Sequence, residues 1–214
     1  MRTGTQNLRT LALSEIRRLE RWSVQVEQRS STDVHADMFV SHTVIGLHNW
    51  WSSFCRTYFL SVSTGTKIGR RTTTTVPALK THADALLAAV AYVNRGKPWF
   101  KCPATVSRRE EPTWYDAPTL AGLVGALQCT EQNTAQGALG FIARTAVDLT
   151  IIRNFYAHRN DDTARKVQPI ARRYLLPAST HPTHLLLARA PRRPQRILSD
   201  WLDDIRFVVD YVSS

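Results

Sequence analysis

The residues best suited to chemistry lie in one short segment between residues 150 and 161. It contains an arginine, an amide and a histidine in close succession, namely Arg153, Asn154 and His158. Arginine makes planar, bidentate contacts with phosphate, and histidine changes its protonation state near neutral pH. These residue types point to chemistry on a phosphate group.

The segment ends a predicted helix, 133–159, that is apolar on two faces. With Leu149 as the reference and ~100° per residue, one set of side chains falls within ~60° of it. This set is the predicted core face: Ala138, Ile142, Ala146, Ile152 and Tyr156. A second apolar set, Val147, Ile151 and Phe155, falls roughly opposite. A helix with two apolar faces must be central in its own bundle or pack against a second copy of the chain.

The polar residues divide between these two faces. Asn154 and His158 lie on the second face, one turn apart, where they can cooperate. Arg153 lies at the margin of the core face, where a charge is costly unless it is paired or placed at an opening. Arg153 and His158 are about 140° apart on a straight helix. A second copy related by a two-fold axis, or a bend in the last turn, would bring both to one phosphate.

Helical periodicity dominates the rest of the chain, which predicts a single all-α domain over 1–214. The expected architecture is a helical bundle of about five to seven helices with two long irregular loops. The periodic segments are 6–29, 33–61, 78–94, 118–129, 133–159, 161–176 and 195–212. Segments rich in Pro, Gly or Thr are predicted to be loops at 62–77, 95–117 and 177–194.

The segment from 150 to 161 resembles the HEPN superfamily (higher eukaryotes and prokaryotes nucleotide-binding). The family signature is an Arg, usually followed by a polar residue, and then a His four to six positions further on. Arg153, Asn154 and His158 match it with four intervening residues. The resemblance covers one helix of about 25 residues, and the all-α pattern and basic charge agree with it.

The resemblance implies a helical homodimer in which the Arg–His pairs of both copies line one cleft. Many HEPN proteins are metal-independent endoribonucleases of toxin–antitoxin, abortive-infection and CRISPR-associated defence. By that resemblance, His158 transfers protons while the ribose 2′-OH attacks the adjacent phosphate, leaving a 2′,3′-cyclic phosphate. Arg153 would stabilise the charge on the phosphate, and Asn154 would orient the His or the phosphate. The expected partners are RNA, a second copy, and an antitoxin or defence-system component.

Structural and non-catalytic alternatives remain open. Arg153 could pair with Asp148 or with an acid on another helix. His158, Arg159 and Asn160 could form an ordinary helix C-terminus, with Asn160 as its cap. The chain could also be a non-catalytic helical module that binds RNA or a partner protein. A DNA-binding regulator is a third possibility, although no clear helix-turn-helix is found.

The charge balance favours an anionic partner. Lys+Arg number 28 against 17 Asp+Glu, which gives a net charge of +11, and 23 of the basic residues are Arg. RNA is the first candidate, and the codon preference of a GC-rich genome is the alternative explanation. The candidate RNA-binding residues are Arg70, Arg71, Arg159, Arg192 and Arg193. His48 and Arg56, two turns apart on the second helix, are weaker candidates for the cleft.

Several classes of protein find no support. The three cysteines are scattered, which indicates neither a disulfide framework nor a metal site. His181 and His184 enclose Pro182 and have no nearby Cys or acid in sequence, so we expect no metal there and no cofactor. We find no signal peptide and no unbroken apolar run long enough to span a bilayer. A cytoplasmic protein without membrane contact is expected.

Overall fold

A computed structural model describes residues 6–27, 35–65, 67–68, 71–72, 76, 79–98, 100–101, 103–129, 131–189 and 194–213. Within these residues the chain is all-α, as predicted, with one very short hairpin. The helices are α1 (Gln6–Glu27), α2 (Ala36–Ser63), α3 (His82–Val93), α4 (Ala117–Ala126), α5 (Gln132–His158), α6 (Asp161–Arg173), α7 (Pro182–Leu187) and α8 (Ile197–Ser213). The hairpin strands are β1 (Lys67–Ile68) and β2 (Arg71–Thr72).

Each of the seven predicted helices is present, and the described residues contain one more than the five to seven expected. The additional helix is α7, which lies inside the stretch 177–194 that we predicted to be irregular. Pro182 is one of the prolines that predict a loop here, but it is the first residue of α7. A proline is tolerated there because the first helical N–H has no partner within the helix.

A second correction concerns the predicted loop 62–77. Lys67 pairs with Thr72 and Ile68 with Arg71 in an antiparallel hairpin. Strands of two residues are too short to show a period in sequence, so the pattern gave no sign of them. The described part of 95–117 is irregular up to the start of α4, as predicted.

The chain forms two compact units. The first contains Met1–Ala12, Trp51–Ala143 and Val208–Ser214, and the second contains Leu13–Trp50 and Arg144–Phe207. The divisions fall within α1, α2, α5 and α8, so each of these helices contributes residues to both units.

In the first unit, the long segment between α3 and α4 is attached to α2. The buried Trp114 lies with its ring 5.3 Å from that of Phe59 and donates its indole N–H to Glu111 at 2.7 Å. Glu111 also accepts two hydrogen bonds from the Arg56 guanidinium, at 2.6 and 2.8 Å. A tryptophan and an ion pair thus position a segment that has little regular structure of its own.

The second unit holds the predicted motif, and its core comes from α1, α2, α5, α6, α7 and α8. Fully buried side chains include Ile16, Leu19, Leu47, Leu149, Ile152, Ile170, Leu185 and Trp201. Trp201 donates to the Tyr174 hydroxyl at 3.0 Å, and Thr145 on α5 donates to Asp204 on α8 at 2.9 Å. The motif helix is therefore held by apolar packing and by the part-buried hydrogen bond from Thr145 to α8.

The two apolar faces of α5 have different environments. The predicted core face is confirmed, since all six of its residues are buried. On the second face Phe155 is buried, Ile151 is half-buried and Val147 is 47% exposed. The described residues do not cover this face at Val147, so a central position with both faces covered is not found there.

α5 is also the one helix in the described part of the chain that is long and apolar enough to cross a membrane. Its most apolar window has a mean hydropathy of 1.2, and 50% of that window is buried within the protein. A core helix of a soluble protein meets the same test.

Candidate functional site

The last two turns of α5 and the turn that follows them position the three predicted catalytic residues. The helix ends at His158 because Arg159 adopts a left-handed conformation with φ of 44°, and its N–H donates to the Phe155 carbonyl at 2.7 Å. Asn160 then caps α6, accepting from the Thr163 N–H at 2.9 Å. Two residues thus separate the helices, and the end of α5 is sharply defined.

Arg153 is a half-buried cation without a carboxylate partner among the described residues. Its Nη1 donates to the Asn154 side-chain oxygen at 3.1 Å. Its Nε is buried and has no hydrogen-bond acceptor among the described residues. Most buried polar groups are paired, and an unpaired one requires an explanation such as a functional role or an absent ligand.

The expected structural partner of Arg153 is taken by another arginine. Asp148 is 3% exposed, and both of its carboxylate oxygens accept hydrogen bonds from Arg173 on α6. Burial raises the pKa of Asp148, and the nearby Arg173 only partly offsets this effect. Pairing of Arg153 with Asp148, one of the alternatives that the sequence left open, is therefore wrong.

His48 on α2 lies close enough to Arg153 for the guanidinium charge to affect its pKa. Its side chain is buried, and burial followed by the charge of Arg153 lowers the pKa of His48 to about 4. The neighbouring Asn49 acts on the pKa of His48 in the opposite direction. At neutral pH the imidazole is uncharged beside the guanidinium. Of the two weaker candidates on α2, Arg56 instead pairs with Glu111 in the other unit.

His158 is exposed at the end of α5. Among the described residues it makes no hydrogen bond or ion pair with Arg153 or Asn154, although Asn154 lies one turn before it. The alternative in which Asn160 caps the C-terminus of α5 is wrong, because Asn160 is the N-cap of α6. The structure therefore joins Arg153 with Asn154 and leaves the imidazole of His158 open to solvent.

Directly after His158, a second group of polar residues surrounds Asp37 on α2. We call Asp37, Tyr156, Arg159, His181 and Thr183 the Asp37 cluster. Arg159 lies 2.8 Å from one oxygen of Asp37, and the Thr183 hydroxyl donates to the other at 2.5 Å. The Tyr156 and Thr183 hydroxyls are 3.0 Å apart, and His181 Nδ1 is 3.9 Å from Asp37. The cluster joins the start of α2, the end of α5 and the start of α7.

The electrostatics of the Asp37 cluster favour an ionised carboxylate. Burial alone would raise the pKa of Asp37, but the hydrogen bond from Thr183 and the Arg159 cation outweigh it and lower the pKa. Burial lowers the pKa of His181, with the charge of Asp37 opposing that shift. Burial raises the pKa of Tyr156. No sequence pattern indicated this cluster, because Asp37 and Thr183 are 146 positions apart.

Of the five candidate RNA-binding arginines, the structure places two. Arg159 belongs to the Asp37 cluster and faces a carboxylate, and its side chain is 52% exposed. Arg71 lies in the short strand β2. Arg70, Arg192 and Arg193 fall outside the described residues.

We searched the site for metal-binding groups and compared the chain with known proteins. Across the described ranges, no group of three or more His, Cys, Asp and Glu side chains is arranged to hold a metal ion. No protein-family model, curated protein or solved structure matches the chain. What the site offers chemically is a partly buried guanidinium, a neighbouring amide and an exposed imidazole. These groups can bind an oxyanion and exchange a proton with it.

Proposed function

We propose that this chain is a metal-independent endoribonuclease of HEPN type. It acts in the cytoplasm as a toxin or anti-phage defence effector, with an antitoxin or another defence component as its partner. The observation that carries the proposal is the state of Arg153, whose charge has no carboxylate partner in the described part of the chain.

We infer that an anion is the partner that Arg153 lacks among the described residues. Leaving a buried N–H group unpaired costs roughly 1–3 kcal/mol of folding free energy. The Arg153 side chain therefore destabilises the protein when no ligand is bound. A phosphate oxygen would accept from it and form a charge-assisted hydrogen bond. Because Asp148 is held by Arg173, no such competitor has to be displaced. A cation held in this way can stabilise the charge that develops on a phosphate during cleavage.

The proposed reaction is an internal transfer on RNA. His158 removes the proton from a ribose 2′-OH, whose oxygen attacks the adjacent phosphorus, and the bond to the 5′-oxygen breaks. The protonated His158 then gives this proton to the leaving 5′-oxygen, so the products carry a 2′,3′-cyclic phosphate and a 5′-OH. Asn154 holds the Arg153 side chain, to which its oxygen is already bonded. DNA lacks the 2′-OH and is not a substrate.

A second copy of the chain completes the proposed site. His158 and Arg153 lie about 140° apart around the α5 axis, and His158 is exposed while Arg153 is half-buried. The exposed Val147 and half-buried Ile151 lie on the same face of α5 as His158 and provide apolar surface for a symmetric contact. In this homodimer the His158 of one copy and the Arg153 of the other face one phosphate.

A non-catalytic module that binds RNA or a partner protein is the second candidate. It is favoured by the separation of His158 from Arg153, since one chain alone does not bring the proton-transferring histidine to the anion-binding arginine. In this case Arg153 binds a phosphate and His158 is an ordinary surface residue.

The two candidates differ in the effect of His158→Ala. Wild type, Arg153→Lys and His158→Ala are each incubated with total RNA in EDTA, with His82→Ala and Arg165→Lys as matched exposed controls. A nuclease yields fragments ending in cyclic phosphate, and loss of the His158 side chain lowers the rate by about 10²-fold or more. The controls retain full activity, and circular dichroism confirms that each variant is folded.

Intact RNA with folded wild-type protein, or equal cleavage by His158→Ala, would contradict the nuclease. The binding module then predicts retained RNA affinity in His158→Ala and a weaker, less salt-dependent affinity in Arg153→Lys.

A further inference from the structure

The Asp37 cluster attaches the end of α5 at two points on either side of His158. Tyr156 reaches Asp37 through the Thr183 hydroxyl, with successive distances of 3.0 and 2.5 Å. Arg159 reaches it directly at 2.8 Å. His158 lies between these two attachments in sequence, and its own side chain is exposed. The backbone of the last turn is therefore tied down, while the imidazole remains available.

The backbone at Arg159 has an unfavourable conformation that such an attachment would stabilise. Its φ of 44° lies in the left-handed region, which residues with a Cβ atom rarely adopt. Gln128 and Leu175 also have positive φ after the ends of α4 and α6, but their side chains carry no charge. Of these three described residues with positive φ, Arg159 is the one whose side chain is held by an ion pair. Strained backbone persists where surrounding contacts determine it, and such places are often functional.

Asp37 is well placed to be the fixed point of the cluster. It lies in the first turn of α2, where the helix dipole favours a negative charge. Its two oxygens accept from different chain segments, one from Arg159 and one from Thr183. Thr183 is buried in the first turn of α7, whose N-cap, His181, accepts the Thr183 N–H at 3.3 Å. Three chain segments thus meet at one ionised carboxylate.

We propose that Asp37 is a positioning residue that fixes the last turn of α5 and thereby the location of His158. The role of His158 in cleavage rests on the function proposed above, whereas the attachment of the turn does not. A displacement of about 1 Å at a reacting group can lower a rate by about 10²-fold, so a fixed turn matters for catalysis. By this inference Arg159 acts through Asp37 rather than by contacting RNA.

The first test measures how firmly the last turn of α5 is held, and it requires no enzymatic activity. Asp37→Asn removes the charge but keeps an oxygen that can accept from Thr183. Asp162→Asn is the matched control, because Asp162 also pairs with an arginine, Arg165, in the same unit but on the exposed surface of α6. We expect the amides of residues 156–159 to exchange with deuterium about tenfold faster in Asp37→Asn and unchanged in Asp162→Asn.

A double variant shows whether the effect passes through Arg159. If it does, Asp37→Asn has little further effect on exchange in an Arg159→Gln background, since coupled residues are not additive. Unchanged exchange at 156–159 in Asp37→Asn would overturn the proposal, as would faster exchange spread evenly over α1 and α8.

The second test measures positioning in the reaction itself. With RNA as substrate, Asp37→Asn lowers kcat by about 10–100-fold while KM stays within about twofold, because binding groups are untouched. Asp37→Glu restores part of kcat, and Asp162→Asn matches wild type. A rise in KM with unchanged kcat would overturn the positioning role. Wild type that cleaves no RNA would contradict the proposed function, and the exchange experiment would still decide whether Asp37 fixes the turn.

Discussion

Asp148 is the acidic residue nearest in sequence to Arg153, five positions earlier on α5. Its side chain turns to Arg173 of α6 and leaves Arg153 bonded to the neutral oxygen of Asn154. At the residue scale, the candidate site therefore depends on which of two arginines neutralises one buried carboxylate. The types and spacing of Arg153, Asn154 and His158 were readable from sequence, but this outcome was not, because it depends on a partner 25 positions away.

His48 is the residue for which pH dependence is expected. Its pKa is about 4 in the folded protein, through burial and then the charge of Arg153, and near its ordinary 6.5 when unfolded. Between these values the unfolded chain binds more protons, so the unfolding free energy falls as pH decreases. The contribution of His48 is full above pH 6.5 and is lost as pH falls to about 4. Its size is on the order of 3 kcal/mol.

Urea unfolding at several pH values between 4 and 7 measures this contribution. His48→Gln should flatten the dependence on pH, whatever its effect on stability at pH 7. His82→Gln, at the exposed first position of α3, should keep the wild-type slope. An unchanged slope in His48→Gln would show that the imidazole is not held in its neutral form.

Helix ends are the feature that matters at the scale of elements. The periodicity of apolar residues predicted seven helices, because each has a face buried in the core. It missed α7, whose six residues are too few to show a period. Three helices end in a left-handed residue that is not glycine, Gln128, Arg159 or Leu175. Since glycine is the usual signal for such an end, sequence alone could not place these turns well.

Leu175→Gly is expected to stabilise the protein. Leu175 follows α6 with φ of 57° and is 80% exposed, so its side chain contributes strain and little burial. Its N–H donates to Arg172, and the Leu176 N–H donates to Ala171, as in a glycine-terminated helix. Removing the Cβ should raise the unfolding free energy by about 0.5–1 kcal/mol. Denaturant unfolding at pH 7 measures the change.

A glycine placed within the same helix provides the opposite control. Lys166→Gly, at an exposed interior position of α6, should lower stability by about 1 kcal/mol. Equal losses in both variants would mean that Leu175 is not strained.

At the scale of the whole molecule, two features concern interactions with other molecules. The chain carries a net charge of +11, which attracts an anionic polymer at low ionic strength. The face of α5 that bears His158 also exposes Val147. The pattern of apolar residues predicts that both faces of this helix are covered, either by the chain itself or by a second copy. Within the described residues, the chain itself does not cover Val147.

Val147→Asp is expected to weaken self-association. The proposed homodimer places this side chain in a symmetric contact, so a carboxylate there would be buried twice in each dimer without a partner. Sedimentation velocity over a range of concentrations should show dimers of wild type and monomers of Val147→Asp. Val24→Asp is the matched control, because Val24 is similarly exposed on α1. A wild type that remains monomeric throughout would contradict the expected homodimer.

The guanidinium of Arg153, which has no carboxylate partner in the described ranges, also has a consequence for engineering. A substitution that removes it, such as Arg153→Met, would eliminate an unsatisfied buried donor and replace it with apolar contacts. A screen for thermal resistance would therefore favour variants at this position. In the proposed enzyme such variants would be more stable but inactive. Selection for stability and selection for activity would therefore act in opposite directions on one side chain.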